Sequence, residues 1–132
     1  MRITIMFAIF LDIETGGLDA SQHSAFEVAF EIWDTSTNQK LSEYQSIIKV
    51  SEEQFNKSSP QALQVNGFTW NEIKDKGKEI NKIKEEIKTI FQTINIQANN
   101  SFFLCQNPSF DRPFFNQIFS ESERQKLKWP YH

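Results

Sequence analysis

The chain has 132 residues, of which 39% are apolar and 23% charged, with a formal net charge of −3. That length suits one small domain with its own core, and so ordinary a composition excludes a disordered chain. The charge gives no general attraction to nucleic acid, and a single cysteine, Cys105, excludes an intrachain disulfide and a multi-cysteine metal centre.

Residues 3–11 form the most apolar run, interrupted only by Thr4. Met1 and Arg2 ahead of it imitate a signal peptide, but no small-x-small cleavage pattern follows and acidic residues come at once. Nine residues are too few to span a bilayer. The run therefore predicts a strand covered on both faces, no membrane association and, with one cysteine, a reducing cytoplasmic setting. Residues 21–25 read as loop, which makes His23 an ordinary surface histidine. Residues 26–32 alternate bulky apolar with polar or small side chains and predict a second strand. A polar turn over 34–40 leads to a third strand over 41–50, so the domain opens with an antiparallel meander.

Helices follow. Ser51 caps a short one over 51–56, and Ser59 with Pro60 starts another that ends near Asn66 and Gly67. Thr69 caps a third piece, and Trp70 packs at its start. Over 78–96, Ile80, Ile83, Ile87, Ile90, Phe91 and Ile94 fall at offsets 0, 3, 7, 10, 11 and 14, one apolar stripe with Lys and Glu opposite. After a turn at Asn99 and Asn100, residues 101–105 predict a short strand with Cys105 as a small buried residue on it. Pro108 breaks that strand. Ser109 caps a helix that carries Phe110, Phe114, Phe115, Ile118 and Phe119 into the core. Residues 120–128 are polar, and residues 129–132 read as a segment entering the core.

Two acidic constellations carry chemistry. Asp12 and Glu14 stand two residues apart where the first apolar run ends, so in a strand both project from one face. Two carboxylates so placed repel unless a cation lies between them. Gly16 and Gly17 after Thr15 let the backbone turn tightly and approach a ligand. Asp111 falls in the first turn of a helix, where the helix N-terminus stabilises a carboxylate, so capping alone accounts for it as well as catalysis does.

Strand, Asp12-x-Glu14-Thr15, meander, helices, strand, then Asn107-x-x-Phe110-Asp111 at a helix start resembles the DEDD-type 3′→5′ exonucleases, and the DEDDh branch most closely. Gly17-Leu18 completes the first motif, with Gly16 where many members have Thr; Phe114 completes the second. The segment from Pro60, Gln61 and Ala62 to Asn66, Gly67, Phe68 and Thr69 resembles the family's Pro-x-Ala…Asn-Gly-Ile-Thr stretch. The resemblance covers essentially the whole chain. It implies an α/β, RNase H-like fold, a mixed sheet with an antiparallel meander flanked by helices. It also implies phosphodiester hydrolysis at the 3′ end of single-stranded RNA or DNA, with RNA slightly favoured, using two Mg²⁺ or Mn²⁺ ions.

By the same resemblance Asp12 bridges the two metals, Glu14 holds the one that activates water, and Asp111 supports the second. Thr15, Gly16, Gly17 and Leu18 contact the 3′-terminal nucleotide, and Asn107 joins them. Leu18 either presses on the terminal base or is a partly buried turn residue. Phe114 and Phe115 belong to the core. The family's third motif, a later Asp with a His five residues before it or a Tyr four before it, finds no match. The expectation is thus a single incomplete exonuclease domain over 1–132, C-terminally truncated, lacking its last strand or helix, with roughly 40–60 residues missing. Activity of the chain as it stands is then weak or nil. The rival expectation is a catalytically dead nucleic-acid-binding or protein-interaction domain. A plain structural domain would scatter the three carboxylates, and a homodimer is left open.

Overall fold

The computed structural model describes residues 5–130. The beginning of the first apolar run, the signal-like Met1 and Arg2, and the terminal Tyr131 and His132 lie outside the described residues. Strands β1 (Phe7–Thr15), β2 (Ala25–Asp34) and β3 (Gln39–Ile47) form the antiparallel meander, and β4 (Ser101–Leu104) pairs parallel with β1 on its other side. The sheet order is β3-β2-β1-β4. A parallel return needs a long connection. Helices α1 (Glu52–Asn56), α2 (Pro60–Asn66), α3 (Trp70–Lys76) and α4 (Ile80–Ile94) supply it. Helices α5 (Pro108–Phe115) and α6 (Glu121–Lys126) follow β4. Among the described residues, no helix is long and apolar enough to cross a membrane.

Alternation along β1 puts Ile9, Leu11, Ile13 and Thr15 into the core. On α4 the stripe at helical spacing buries Ile83, Ile87 and Phe91 in the same core. The Phe91 ring meets Phe30 of β2 edge-on at 5.4 Å, and Tyr44 of β3 stacks on Phe30 at 5.4 Å. The Tyr44 hydroxyl donates to Glu86, which also accepts from Lys78. That tie keeps α4 on the sheet where the apolar contacts thin out. Phe26, Phe55, Phe68 and Ile73 form a second cluster under the short helices, with Trp70 of α3 5.8 Å from Phe55.

The sheet departs from expectation on its other face. The apolar run reads as a strand covered on both sides, yet Phe10 and Leu104 are 46% and 41% exposed. β1 is buried along one face, and its other face is covered at Ala8 but open at Phe10 and Asp12. The strand runs through both carboxylates to Thr15. Their sharing of one face thus follows from regular strand geometry.

Three local readings change at the C-terminal end. Pro108 begins α5 at its first turn instead of merely ending β4, with Asn107 rather than Ser109 at the N-cap. Proline's fixed φ and missing N–H suit that position. Ile118 and Phe119 lie beyond the end of α5 but are buried, as the apolar pattern requires. The polar stretch over 120–128 contains α6, started by a capping box in which Ser120 and Glu123 bond each other's backbone N–H. Cys105 sits one residue past β4 and is half-buried. Burial pushes its thiol up to about 11, which leaves little thiolate at neutral pH. Trp129 and Pro130 are buried.

Candidate active site

The C-terminal half of β1 positions the first two carboxylates. Its register sets Asp12 opposite Ala29 and Glu14 opposite Glu27, with a bulge between Glu14 and Thr15. Like charges directly across a strand pair are unfavourable. The third carboxylate arrives from α5, where Asp111 is only 4% exposed. It is held there by the Ile13 N–H of β1, which donates to Asp111 Oδ1 at 3.3 Å. One hydrogen bond thus ties the helix to the strand between its two acidic residues.

The electrostatics of this arrangement oppose its own ionisation. Burial raises the Glu14 carboxyl above the ordinary 4.5, and the charges of Asp12, Glu27 and Asp111 raise it further. Burial also raises Asp111 above its ordinary 3.8, with the Asp12 charge adding to it and the Ile13 N–H opposing. Among the described residues, no Lys or Arg forms an ion pair with Asp12, Glu14, Glu27 or Asp111. Carboxylate oxygens with no ion pair among the described residues are the donor type a hard divalent ion prefers. Among the described residues, no group of three acidic, His or Cys side chains is arranged to hold a metal by itself. The geometry is therefore a close pair, Asp12 and Glu14, with Asp111 nearby.

The sign of the Glu14 shift gives a test. A carboxyl whose folded value is raised adds stability below its unfolded value and loses it as pH rises through the folded one. In metal-free buffer Glu14→Gln should melt above the wild type at pH 7. That difference should close as the pH falls through the raised folded value toward 4.5, and be gone below it. Equal melting temperatures at pH 7 in EDTA would mean that the carboxylates are not straining one another.

Beyond Glu14 the chain forms a loop, residues 16–24, closed where the Gly16 N–H donates to the Ser24 carbonyl at 2.9 Å. Both glycines are there for space. A Cβ at Gly16 would lie 2.7 Å from Ser58 Oγ and 2.8 Å from the Phe26 ring, and one at Gly17 would lie 2.3 Å from the His23 ring. The close approach that the sequence reserves for a ligand is thus made by the protein's own side chains. His23 is half-buried over Gly17, and its Nδ1 accepts the Asp19 N–H at 3.2 Å. Reading it as an ordinary surface histidine misses this packing. Asn66 Nδ2 donates to the Thr15 carbonyl at 2.8 Å, and Ser59 N–H donates to the Gly16 carbonyl at 2.7 Å. Helix α2 thereby braces the strand's end.

These contacts frame a cavity of about 520 Å³ lined by Glu14, Thr15, Gly17, Leu18, Val65 and Phe110, among others. Leu18 and Val65 stand at its rim, 86% and 87% exposed. Leu18 is thus a free apolar side chain rather than a partly buried turn residue. Asp12 lines a second open cavity of about 970 Å³ on the exposed sheet face, with Phe10, Glu31, Glu43 and Leu104. The acidic pair lies between these two spaces. Gly16 is turned toward Phe26 and Ser58, away from the lining. Asn107 is exposed at the N-cap of α5, and its backbone carbonyl accepts from Phe110 and Asp111. The structure therefore brings Asp12, Glu14 and Asp111 together, sets Thr15, Gly17 and Leu18 beside them, and leaves Gly16 and Asn107 in framing positions. Asn66 and His23, outside the sequence-based set, also belong to this frame.

Comparison with known proteins identifies the family and the fold. Residues 9–126 match the family described as Exonuclease. Among solved structures, E. coli exonuclease I in complex with a dT13 oligonucleotide aligns with a TM-score of 0.71 at 20% identity, over 96% of this chain and 25% of that one. The product-bound structure of exonuclease I gives 0.70 at 20% identity, over 96% and 27%. Exonuclease I with inhibitor BCBP gives 0.71 at 19% identity, over 98% and 26%. The likeness extends to the fold, and the chain spans about a quarter of the length of these structures. No curated protein sequence matches the chain.

Proposed function

This chain belongs to the exonuclease family, and from that premise we propose that it hydrolyses single-stranded nucleic acid from the 3′ end with divalent cations held at Asp12, Glu14 and Asp111. The observation that carries this reading is the acidic group at the end of β1, where the Ile13 N–H between Asp12 and Glu14 holds Asp111 and where burial, with the charges of Asp12, Glu27 and Asp111, raises Glu14. Its all-oxygen donor set suits Mg²⁺ or Mn²⁺. Asp12 and Glu14 would ligate directly, and Asp111, held back by the Ile13 N–H, would act through water. Such ions, when bound, polarise the phosphodiester and lower the pKa of a bound water.

The chain's own residues receive the strand's end. Thr15, Gly17 and Leu18 face the 3′-terminal nucleotide, with Gly16 and Asn107 framing it. The exposed side chains of Leu18 and Val65 offer apolar surface to a base, whose faces stack without regard to sequence. Among the described residues no Lys or Arg is ion-paired with the acidic pair, so a bound cation would offset its charge toward an approaching phosphate. The solved exonuclease I structures hold DNA, dT13 and dA16, and we extend that chemistry to this chain, taking DNA first and RNA as the alternative. With one cysteine, we place the protein in the cytoplasm.

One observation favours a second reading. Among the described residues, no three potential ligands are arranged to hold a metal by themselves. A binding domain without turnover has that property. A 5′-labelled oligodeoxynucleotide incubated with this chain and Mg²⁺ or Mn²⁺ separates the readings. Slow, metal-dependent shortening from the 3′ end supports the exonuclease. Binding without any shortening at long incubation supports the catalytically dead domain.

A further inference from the structure

One side chain outside the acidic group connects both halves of the site. Gln117 follows the C-terminal end of α5, the helix that carries Asp111. Its Oε1 accepts the Ala25 N–H at 2.9 Å. Its Nε2 donates to the Ala20 carbonyl at 3.0 Å and to the His23 carbonyl at 2.8 Å. One acceptor and two donors on a planar group are the complement of a carboxamide alone. Glutamate at neutral pH only accepts, and lysine only donates. Ala20 and His23 lie on the return limb of the loop whose outgoing limb is Gly16, Gly17 and Leu18, and Ala25 begins β2 where that limb ends. The His23 ring packs on Gly17.

We infer that Gln117 is a positioning residue that clamps the nucleotide-facing loop to the Asp111 helix and so sets the gap between terminal-nucleotide and metal contacts. This inference rests on the exonuclease reading. Other ties hold the loop's base: the Gly16 N–H to the Ser24 carbonyl, and the Ser59 N–H to the Gly16 carbonyl. Both join the loop to itself or to α2. Gln117 instead makes its link to α5, from 94 and 97 residues along the chain to His23 and Ala20. Removing it leaves the core and the three carboxylates in place and frees the loop relative to them.

The test compares full-length wild type, Gln117→Ala and Gln117→Glu. Binding is read from the anisotropy of a 5′-fluorescein-labelled oligothymidylate with a free 3′-hydroxyl, in Ca²⁺ to suppress hydrolysis. Metal response is read from the rise in melting temperature on adding Mn²⁺. Both variants should bind the oligonucleotide about tenfold more weakly, as lost hydrogen bonds of ordinary strength imply. Both should keep the wild-type Mn²⁺ response, which a general structural defect would diminish. Wild-type affinity in either variant overturns the clamp while leaving the exonuclease reading intact; so does loss of the Mn²⁺ response together with binding. A wild-type protein that does not bind the oligonucleotide at all overturns the exonuclease reading, and the role of Gln117 in binding with it.

Discussion

Asp12→Ala should leave the protein folded but blind to divalent cations. In the wild type, a metal at a hundredfold its dissociation constant adds about 2.7 kcal/mol of stability, equivalent to roughly 10 °C in melting temperature for a domain of this size. The variant should show none of that rise with Mg²⁺ or Mn²⁺. Asp12 stands on the exposed sheet face and contributes no core packing, so the metal-free variant should melt at or above the wild-type temperature. It also raises both Glu14 and Asp111 by its charge. Removing it relieves two neighbours at once, which points the metal-free shift upward. The expected signature is therefore a crossing: the variant is the more stable protein in EDTA and the less stable in Mn²⁺. Any 3′-end shortening by the wild type should vanish in the variant, and a wild-type melting temperature indifferent to both cations would remove the metal site from this protein.

The crossing depends on a feature that sequence makes visible only in part. That Asp12 and Glu14 share a face follows from their spacing, and the structure realises it because β1 stays regular as far as Glu14. The capping residues were equally legible: Ser51, Ser59 and Thr69 each accept a backbone N–H of the helix they start. These are interactions within one turn of chain, written in adjacent residues. The capping box of α6 was legible on the same terms in Ser120 and Glu123, but a polar stretch without an apolar stripe conceals a helix from a reading led by periodicity. The exposed side of β1 was not legible. A continuous apolar run looks the same whether one or two faces are covered, and only the tertiary arrangement leaves Phe10 open. Glu27 opposite Glu14 depends on strand register, and Asn66, His23 and Gln117 on chain crossings. Asn66 bonds Thr15 from 51 residues away, so no window of sequence contains that pair. The carboxylates could be named in advance because chemistry restricts what can bind a cation. The residues that hold the loop beside them could not, because many polar side chains serve equally well until the fold selects one.

The loop's most exacting requirement is the absence of a side chain at Gly17 beneath the His23 ring, and it should show itself as a coupling energy. Gly17 is not in the left-handed region, where among the described glycines only Gly67 lies. Alanine is therefore conformationally permitted at Gly17, and the objection to it is steric. Its Cβ would lie 2.3 Å from the His23 ring. That ring cannot swing aside freely, because Nδ1 accepts the Asp19 N–H and the His23 carbonyl is held by Gln117. Gly17→Ala should thus cost about 1–3 kcal/mol, in the range of an overpacked site. It should also weaken oligonucleotide binding, since Gly17 lines the cavity beside Glu14. His23→Ala alone should cost about 1 kcal/mol, the worth of the hydrogen bond from Asp19. In the double variant the ring is gone and the new methyl has room, so its cost should fall to that of His23→Ala alone. The resulting coupling, about 1–3 kcal/mol, lies well outside the roughly 0.5 kcal/mol within which independent sites add. Chemical denaturation of the four proteins measures it directly. Strict additivity would show that the His23 ring does not cover Gly17, and that the cavity beside Glu14 is shaped by something other than this pair.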